Sequence, residues 1–221
     1  MERSESLAPR MSDWERYWSL DQTQRFTKIS WSKRRILKIL EPFVQPRKKA
    51  LDAGCGSGFF SRYFCDQGME TVSLDYSLKA LEMARQATSG RTRTLRADLL
   101  EDRLADQSGP FDIVFTDGLL EHFSQAEQEN ILRNLMSVLD KQGVIVTFVP
   151  NRWSPWELIR PWYMPNINED PFILRDLISL HRSQGLQVFS SGGINTVPFA
   201  FSPDRWAGRW FGMLLYTVAK R

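Results

Sequence analysis

The stretch Leu51-Asp52-Ala53-Gly54-Cys55-Gly56-Ser57-Gly58 decides how this chain reads. A short apolar strand over Lys49–Ala53 runs into a glycine-rich turn. A helix over Ser57–Gln67 follows, and Gly68 stops it. Strand, glycine turn and helix in this order bind ligands at the carboxyl ends of the strands of an open α/β sheet. Glycine is required where a side chain would keep the backbone away from a ligand. The dinucleotide pattern GxGxxG fails, because Phe59 stands where the third glycine should fall. That disfavours a nicotinamide-dependent oxidoreductase. A phosphate loop is absent too, since no Gly-Lys-Ser/Thr follows. Asp52, two residues before the first glycine, suits a ligand with a positive group and opposes a pyrophosphate. A zwitterionic amino acid joined to a nucleoside fits better. Its ammonium can face Asp52, and its carboxylate can meet backbone N–H groups near the helix start.

Outward from the loop, strand and helix patterns alternate. Thr71–Leu74 reads as a strand ending at Asp75, and Ser77–Ala87 as a helix capped by Ser77. Arg93–Ala97 is a strand ending at Asp98, and Phe111–Thr116 a strong one. Ser124–Leu139 is a long amphipathic helix followed by Gly143, and Val144–Val149 an apolar strand ending at Pro150. Such alternation implies βαβ units with helices on both faces of a mostly parallel sheet. Before the core, residues 11–44 read as helical, with Ser12-Asp13 as a cap and Trp14, Tyr17 and Trp18 at i, i+3, i+4. Ile29, Ile36, Ile39 and Leu40 share one face of a second helix that Pro42 and Pro46 end. After the core, residues 151–169 read as a lid, 170–184 as a helix and Gln187–Ser190 as a strand. Residues 191–209 read as an irregular insertion, and Trp210–Ala219 as a final edge strand.

The loop resembles the first motif of the class I S-adenosylmethionine-dependent methyltransferases, in the small-molecule (methyltransferase type 11-like) branch, and the matching pattern covers about residues 48–150. The resemblance implies a Rossmann-like, seven-stranded, mostly parallel sheet with an antiparallel last strand and an N-terminal helical lid. It implies one domain over 1–221: lid 1–46, cofactor core 47–150, and acceptor-side lid with C-terminal strands 151–221. The cofactor would be S-adenosylmethionine, released as S-adenosylhomocysteine. The implied cofactor residues are Asp52, Gly54, Cys55, Gly56, Gly58, Asp75, Tyr76, Asp98, Leu99 and Asp117. In this family the Asp75 position binds both ribose hydroxyls, which one carboxylate can do. Tyr76 stands where a side chain often meets adenine, and Asp98-Leu99 where the adenine edge is read. Other readings remain beside these. An Asp at a strand end is also a common helix cap, Tyr76 can be turn packing, and Cys55 a small hydrophobe filling space.

The fourth-strand segment Phe111–Phe123 ends in Glu121-His122-Phe123. Methyl transfer from a sulfonium asks the protein chiefly for alignment, with a base only if the acceptor must lose a proton. His122 is the candidate catalytic base, against a packing role at the start of the long helix. Some relatives carry Glu-x-x-Glu-His here and bind a divalent ion. Gly118 stands at the first glutamate's place, with Asp117 one residue early, so no metal is expected. His181 is expected on the surface. No Asn/Asp-Pro-Pro-aromatic follows the fourth strand, which sets aside amino-group methylation of adenine or glutamine.

A net charge of +3 is too small to indicate nucleic acid or an anionic membrane by itself. The runs Lys33-Arg34-Arg35 and Arg47-Lys48-Lys49 are read as solvated flanks. Two cysteines exclude a disulfide framework and point to a reducing cytoplasm. There is no signal-peptide pattern and no transmembrane run, and nothing speaks to oligomeric state. All eight tryptophans lie outside residues 50–150. Trp14, Tyr17 and Trp18 are expected over the cofactor. Trp153, Trp156, Trp162 and Tyr163, with Phe199, Phe201 and Trp206, are expected either to line an acceptor pocket or to form a secondary core. The acceptor is expected to be an apolar or aromatic small molecule, with oxygen slightly ahead of nitrogen or carbon. A protein or RNA methyltransferase and a non-catalytic S-adenosylmethionine-binding protein are the alternatives.

Overall fold

Apolar runs in the middle of the chain hydrogen-bond side by side in a computed structural model that describes residues 11–158, 160 and 169–221. The strands are β1 (Lys49–Ala53), β2 (Glu70–Asp75), β3 (Arg93–Arg96), β4 (Phe111–Asp117), β5 (Leu139–Pro150), β6 (Gln187–Ile194) and β7 (Leu214–Lys220). They form one sheet in the order β3-β2-β1-β4-β5-β7-β6. The first five run parallel, and β7 runs antiparallel to both β5 and β6. This is the Rossmann-like sheet expected. Strand order reverses at β1, which pairs with β2 on one side and β4 on the other. A crevice therefore opens at the carboxyl ends of β1 and β4.

The helices are α1 (Met11–Trp18), α2 (Trp31–Leu40), α3 (Phe59–Asp66), α4 (Leu78–Ala87), α5 (Gln125–Ser137), α6 (Leu174–Ser183) and α7 (Asp204–Phe211). The two-residue period of the strands sends side chains to opposite faces. In β5, Val144, Val146 and Phe148 pack with Ile36 and Leu40 of α2 and Phe60 and Phe64 of α3. Ile145 and Val149 pack on the other side with Ile131, Leu132 and Leu135 of α5 and Leu177 of α6. Ser77 caps α4 by accepting from Ala80 N–H at 3.2 Å. Ser124 begins α5, its N–H donating to Glu127 Oε2 at 2.8 Å.

Several expectations need correcting. The final strand starts at Leu214 and is not an edge. It pairs with β5 on one side and β6 on the other, and Leu214, Leu215, Thr217, Val218 and Ala219 are all buried. The edge is β6, whose burial alternates over Gln187–Gly192 and which extends four residues past Ser190. The insertion 191–209 is therefore part strand, and its second half is helical from Asp204. Helix α1 begins at Met11, so Ser12-Asp13 lies within its first turn. Ile29 precedes α2 and is exposed. Helix α6 begins at Leu174, not 170. Strand β5 begins at Leu139, which pairs with Phe111 before the register shifts. His181 is buried, because α6 turns it under the sheet: Nε2 lies 3.1 Å from Thr147 Oγ1 and Nδ1 2.9 Å from Leu177 O. Burial pushes its pKa down to about 4.

Candidate active site

The glycine loop is built by backbone bonds. Gly54 N–H and Cys55 N–H both donate to Leu74 O, at 2.8 and 2.9 Å, which ties the turn to the end of β2. Gly54, Gly56 and Gly58 all have positive φ, where a side chain is strained. A Cβ on Gly58 would stand 2.3 Å from Ala84 Cα in α4. Gly58 thus lets α4 approach the loop, and Gly54 and Gly56 expose backbone to the cavity.

Asp75, at the end of β2, is buried beside this loop. It accepts from Gly56 N–H at 3.0 Å and from Ser77 N–H at 2.9 Å. The helix-cap reading and a ligand role are compatible here, because each carboxylate oxygen has a second acceptor site. Burial pushes its pKa up to about 6 despite those N–H bonds. Asp52, at the end of β1, accepts from Ser61 Oγ at 2.6 Å. Ser61 in turn accepts from Ser73, and Ser73 Oγ lies 2.7 Å from Thr92 Oγ1. Burial pushes Asp52 up to about 7 and Asp117 up to about 6. Asp98 sits at the crevice and also acts as a cap, its Oδ1 accepting from Leu100 N–H at 2.9 Å.

These residues share one cavity of about 580 Å³. Asp52, Gly54, Cys55, Gly56, Asp75, Tyr76, Asp98, Leu99 and Asp117 all line it, as does His122. Of the expected site residues only Gly58 stays outside, behind the loop. The chemistry of the lining fits S-adenosylmethionine. Four aspartates around bare backbone, Asp52, Asp75, Asp98 and Asp117, oppose a pyrophosphate and attract a sulfonium and an ammonium, and Leu99 and Leu74 give an apolar wall.

The N-terminal segment closes the loop side. The Trp18 ring sits directly over Gly56, where an added Cβ would meet it at 2.5 Å. Glu15 Oε1 accepts from Leu78 N–H at 2.5 Å, so α1 caps the start of α4. Ser57 Oγ donates to Phe26 O at 2.9 Å. Lys33 is not a solvated flank. Its ammonium donates to Phe26 O, lies 4.1 Å from the Phe59 ring centre and lines the cavity. Burial pushes its pKa down to about 8, with Asp117 opposing the shift. Arg35 is engaged as well, in an ion pair with Asp204 at 2.8 Å.

At the far end of the cavity, the Trp14 ring stands edge-on to the buried His122 at 4.9 Å. Glu121, His122 and Glu169 offer ligand atoms all within 4.8 Å of one another. Asp170 N–H donates to Glu121 O at 2.8 Å, which lays the 169–172 segment beside the end of β4. Burial raises Glu121 well above the usual carboxylate range, and Glu169 to about 7. Arg160 lies 3.5 Å from Glu169. Such a set can hold or move a proton, and two carboxylates and an imidazole can also hold a cation. Glu121-His122 is legible in the sequence, but Glu169, Lys33 and Glu15 are not, since no spacing rule links them to the loop.

The aromatic flanks divide. Trp14, Tyr17, Trp18 and Trp156 line the cavity. Trp153, Phe199, Phe201 and Trp206 do not line it and are exposed, so the expectation that they line the pocket or form a core is overturned. Trp162 and Tyr163 lie outside the described residues.

Residues 50–143 match the family model described as a methyltransferase domain. The chain is 28% identical over 107 residues to a ubiquinone biosynthesis O-methyltransferase of Vibrio campbellii, covering 48% of this chain and 45% of that protein. It is 29% identical over 127 residues to a malonyl-[acyl-carrier protein] O-methyltransferase of Hamiltonella defensa, covering 58% and 46%. The match spans less than half the length of these curated relatives. The fold is shared with the N-methyltransferase NodS of Bradyrhizobium japonicum, solved with S-adenosylhomocysteine, at TM-score 0.68 and 15% identity over 96% of this chain and 97% of that one. The glycine loop, the acid at the end of β2 and the family match agree in placing a methyltransferase domain over residues 50–143 of this chain.

Proposed function

We propose that this protein transfers a methyl group from S-adenosylmethionine to a small-molecule acceptor, with an apolar or aromatic body and oxygen slightly ahead as the nucleophile. The observation that carries this is one cavity of about 580 Å³ running from the glycine loop to Glu121, His122 and Glu169. Its size suits small-molecule sites, which span about 300–1,000 Å³. S-adenosylmethionine, when bound, supplies an electrophilic methyl group on a sulfonium. In this reading Asp75 accepts from the ribose hydroxyls, Leu99 and Tyr76 border the adenine, and Asp52 and Asp117 balance positive charge. Trp14, Tyr17 and Trp18 exclude water. His122 takes the acceptor's proton, with Glu121 and Glu169 within 4.8 Å of it. The cysteines Cys55 and Cys65 are free, which suits the cytoplasm. No helix among the described residues is long and apolar enough to cross a membrane.

Calorimetry tests the donor: S-adenosylhomocysteine should bind and NADH should not. Mass spectrometry on a panel of phenols, carboxylic acids and amines tests the acceptor. A gain of one methyl on a small molecule supports the proposal. Methylation confined to added protein or RNA, or tight donor binding with no turnover on any acceptor, overturns it.

A further inference from the structure

Beyond the cavity, the surface formed by α2 and the segment before and within α7 carries a pattern that methyl transfer does not need. Helix α7 is held by a bare contact: a Cβ on Gly208 would stand 2.0 Å from Gly193 O. That contact turns the opposite face outward, where Trp206 and Trp210 line up at i, i+4 with exposures of 78% and 47%. Phe199 and Phe201, in the loop leading into α7, are 65% and 82% exposed. Arg35 ties this loop to α2, pairing with Asp204 at 2.8 Å and donating to Phe199 O at 2.5 Å, so exposed Trp31 stands on the same side. Monomer surfaces seldom leave this much aromatic area in water without a use.

The charges around these rings are one-sided. Arg205 and Arg209 flank the tryptophans on the exposed face of α7, and the Arg209 guanidinium lies 3.7 Å from the Trp210 ring centre. Arg34 and Lys38 are exposed on α2. Residues 28–38 hold no acid, and their exposed basic residues are Lys28, Arg34 and Lys38. In residues 195–213 the one acid is Asp204, already held by Arg35. Tryptophans flanked by arginines on one face of a short helix, with phenylalanines in the loop before it, form the composition that lies flat in a lipid headgroup region. The rings enter the acyl boundary and the cations meet phosphates. We propose that this face docks the protein reversibly on anionic bilayers. The docking stands independently of methyl transfer. One corollary rests on the methyltransferase reading: Met213 and Leu214, just after α7, line the cavity, which gives a bilayer-dissolved acceptor a short route in.

Vesicle flotation of the full chain tests it. The protein should float with mixed phosphatidylcholine–phosphatidylglycerol vesicles, less with phosphatidylcholine alone, and less as salt rises. The double variant Arg205→Gln/Arg209→Gln should partition about 25-fold more weakly, near fivefold per arginine. Trp206→Ser/Trp210→Ser should abolish flotation. Both variants should keep the parent melting temperature and S-adenosylhomocysteine affinity, since the replaced side chains are exposed and outside the cavity. No flotation of the parent, or flotation unchanged by both variants, overturns the proposal. So does a dimer in solution that the tryptophan variant dissociates, which would make a second copy the occupant, or RNA retention lost in the arginine variant.

Discussion

At the residue scale, the site depends on how few water contacts its acids keep. Asp75 holds Gly56 and Ser77 through backbone N–H groups. Asp75→Ala should therefore weaken S-adenosylhomocysteine binding on the order of 10- to 100-fold, the worth of a hydrogen bond to a charged group. Calorimetry reads this directly, and near-parent affinity would remove Asp75 from the cofactor site. Asp52 gives a pH signature. Its carboxyl, near 7 when folded, starts from about 3.9 in the unfolded chain. The folded form thus keeps a proton that the unfolded chain releases. That stabilisation is complete below about pH 4 and is lost as pH rises to about 7. Melting temperature of the ligand-free protein should fall between about pH 5 and pH 7.5, and fall less in Asp52→Asn. An equal fall in both proteins would put the effect elsewhere.

At the element scale, the loop and helix α6 make opposite demands. Gly58 is where α4 packs on the loop, and its backbone is left-handed. Gly58→Ala should cost about 2–4 kcal/mol from strain and overpacking, or roughly 5–10 °C in Tm. Scanning calorimetry would show it, and an unchanged Tm would mean α4 can retreat freely. His181 acts in the acid direction. Its folded pKa, about 4, lies below the ordinary 6.5, so its contribution is present above about pH 6.5 and is lost as pH falls toward 4. On the order of 3 kcal/mol is at stake. His181→Gln should lose this part of the acid sensitivity while the opposing trend of Asp52 remains. Comparing the Tm difference between the two proteins at about pH 7 and pH 5 isolates the histidine.

For the whole molecule, parts distant in sequence are held by few bonds. Arg35 joins α2 to Asp204 and the Phe199 loop. Arg35→Ala should cost about 1–3 kcal/mol and speed proteolysis within residues 197–211 before any cut in the core. Uniform cleavage would show that the clasp is unnecessary. The core was legible from sequence because its signals are local. The apolar run of Phe111–Thr116, the Ser77 cap and the glycines each follow from neighbouring residues. Strand β7 was misplaced because its position is set by pairing with β5 and β6, and a burial run looks the same before its neighbours are known. His181 was read as exposed because two threonines from other strands, Thr147 and Thr217, supply its partners.

By itself the sequence determined the sheet class, the order of strand and helix through residue 150, and the methyl-donor loop. Each rests on interactions between residues close in the chain, and Asp52 and Phe59 sufficed to separate this loop from dinucleotide and phosphate loops. Only the tertiary structure decided what faces the reaction and what faces away. It brought Glu169 to Glu121 and His122, drew Lys33 into the cavity, and turned Trp206 and Trp210 outward. The physical reason is that a side chain's burial and charge partners depend on long-range packing, which composition and periodicity do not encode.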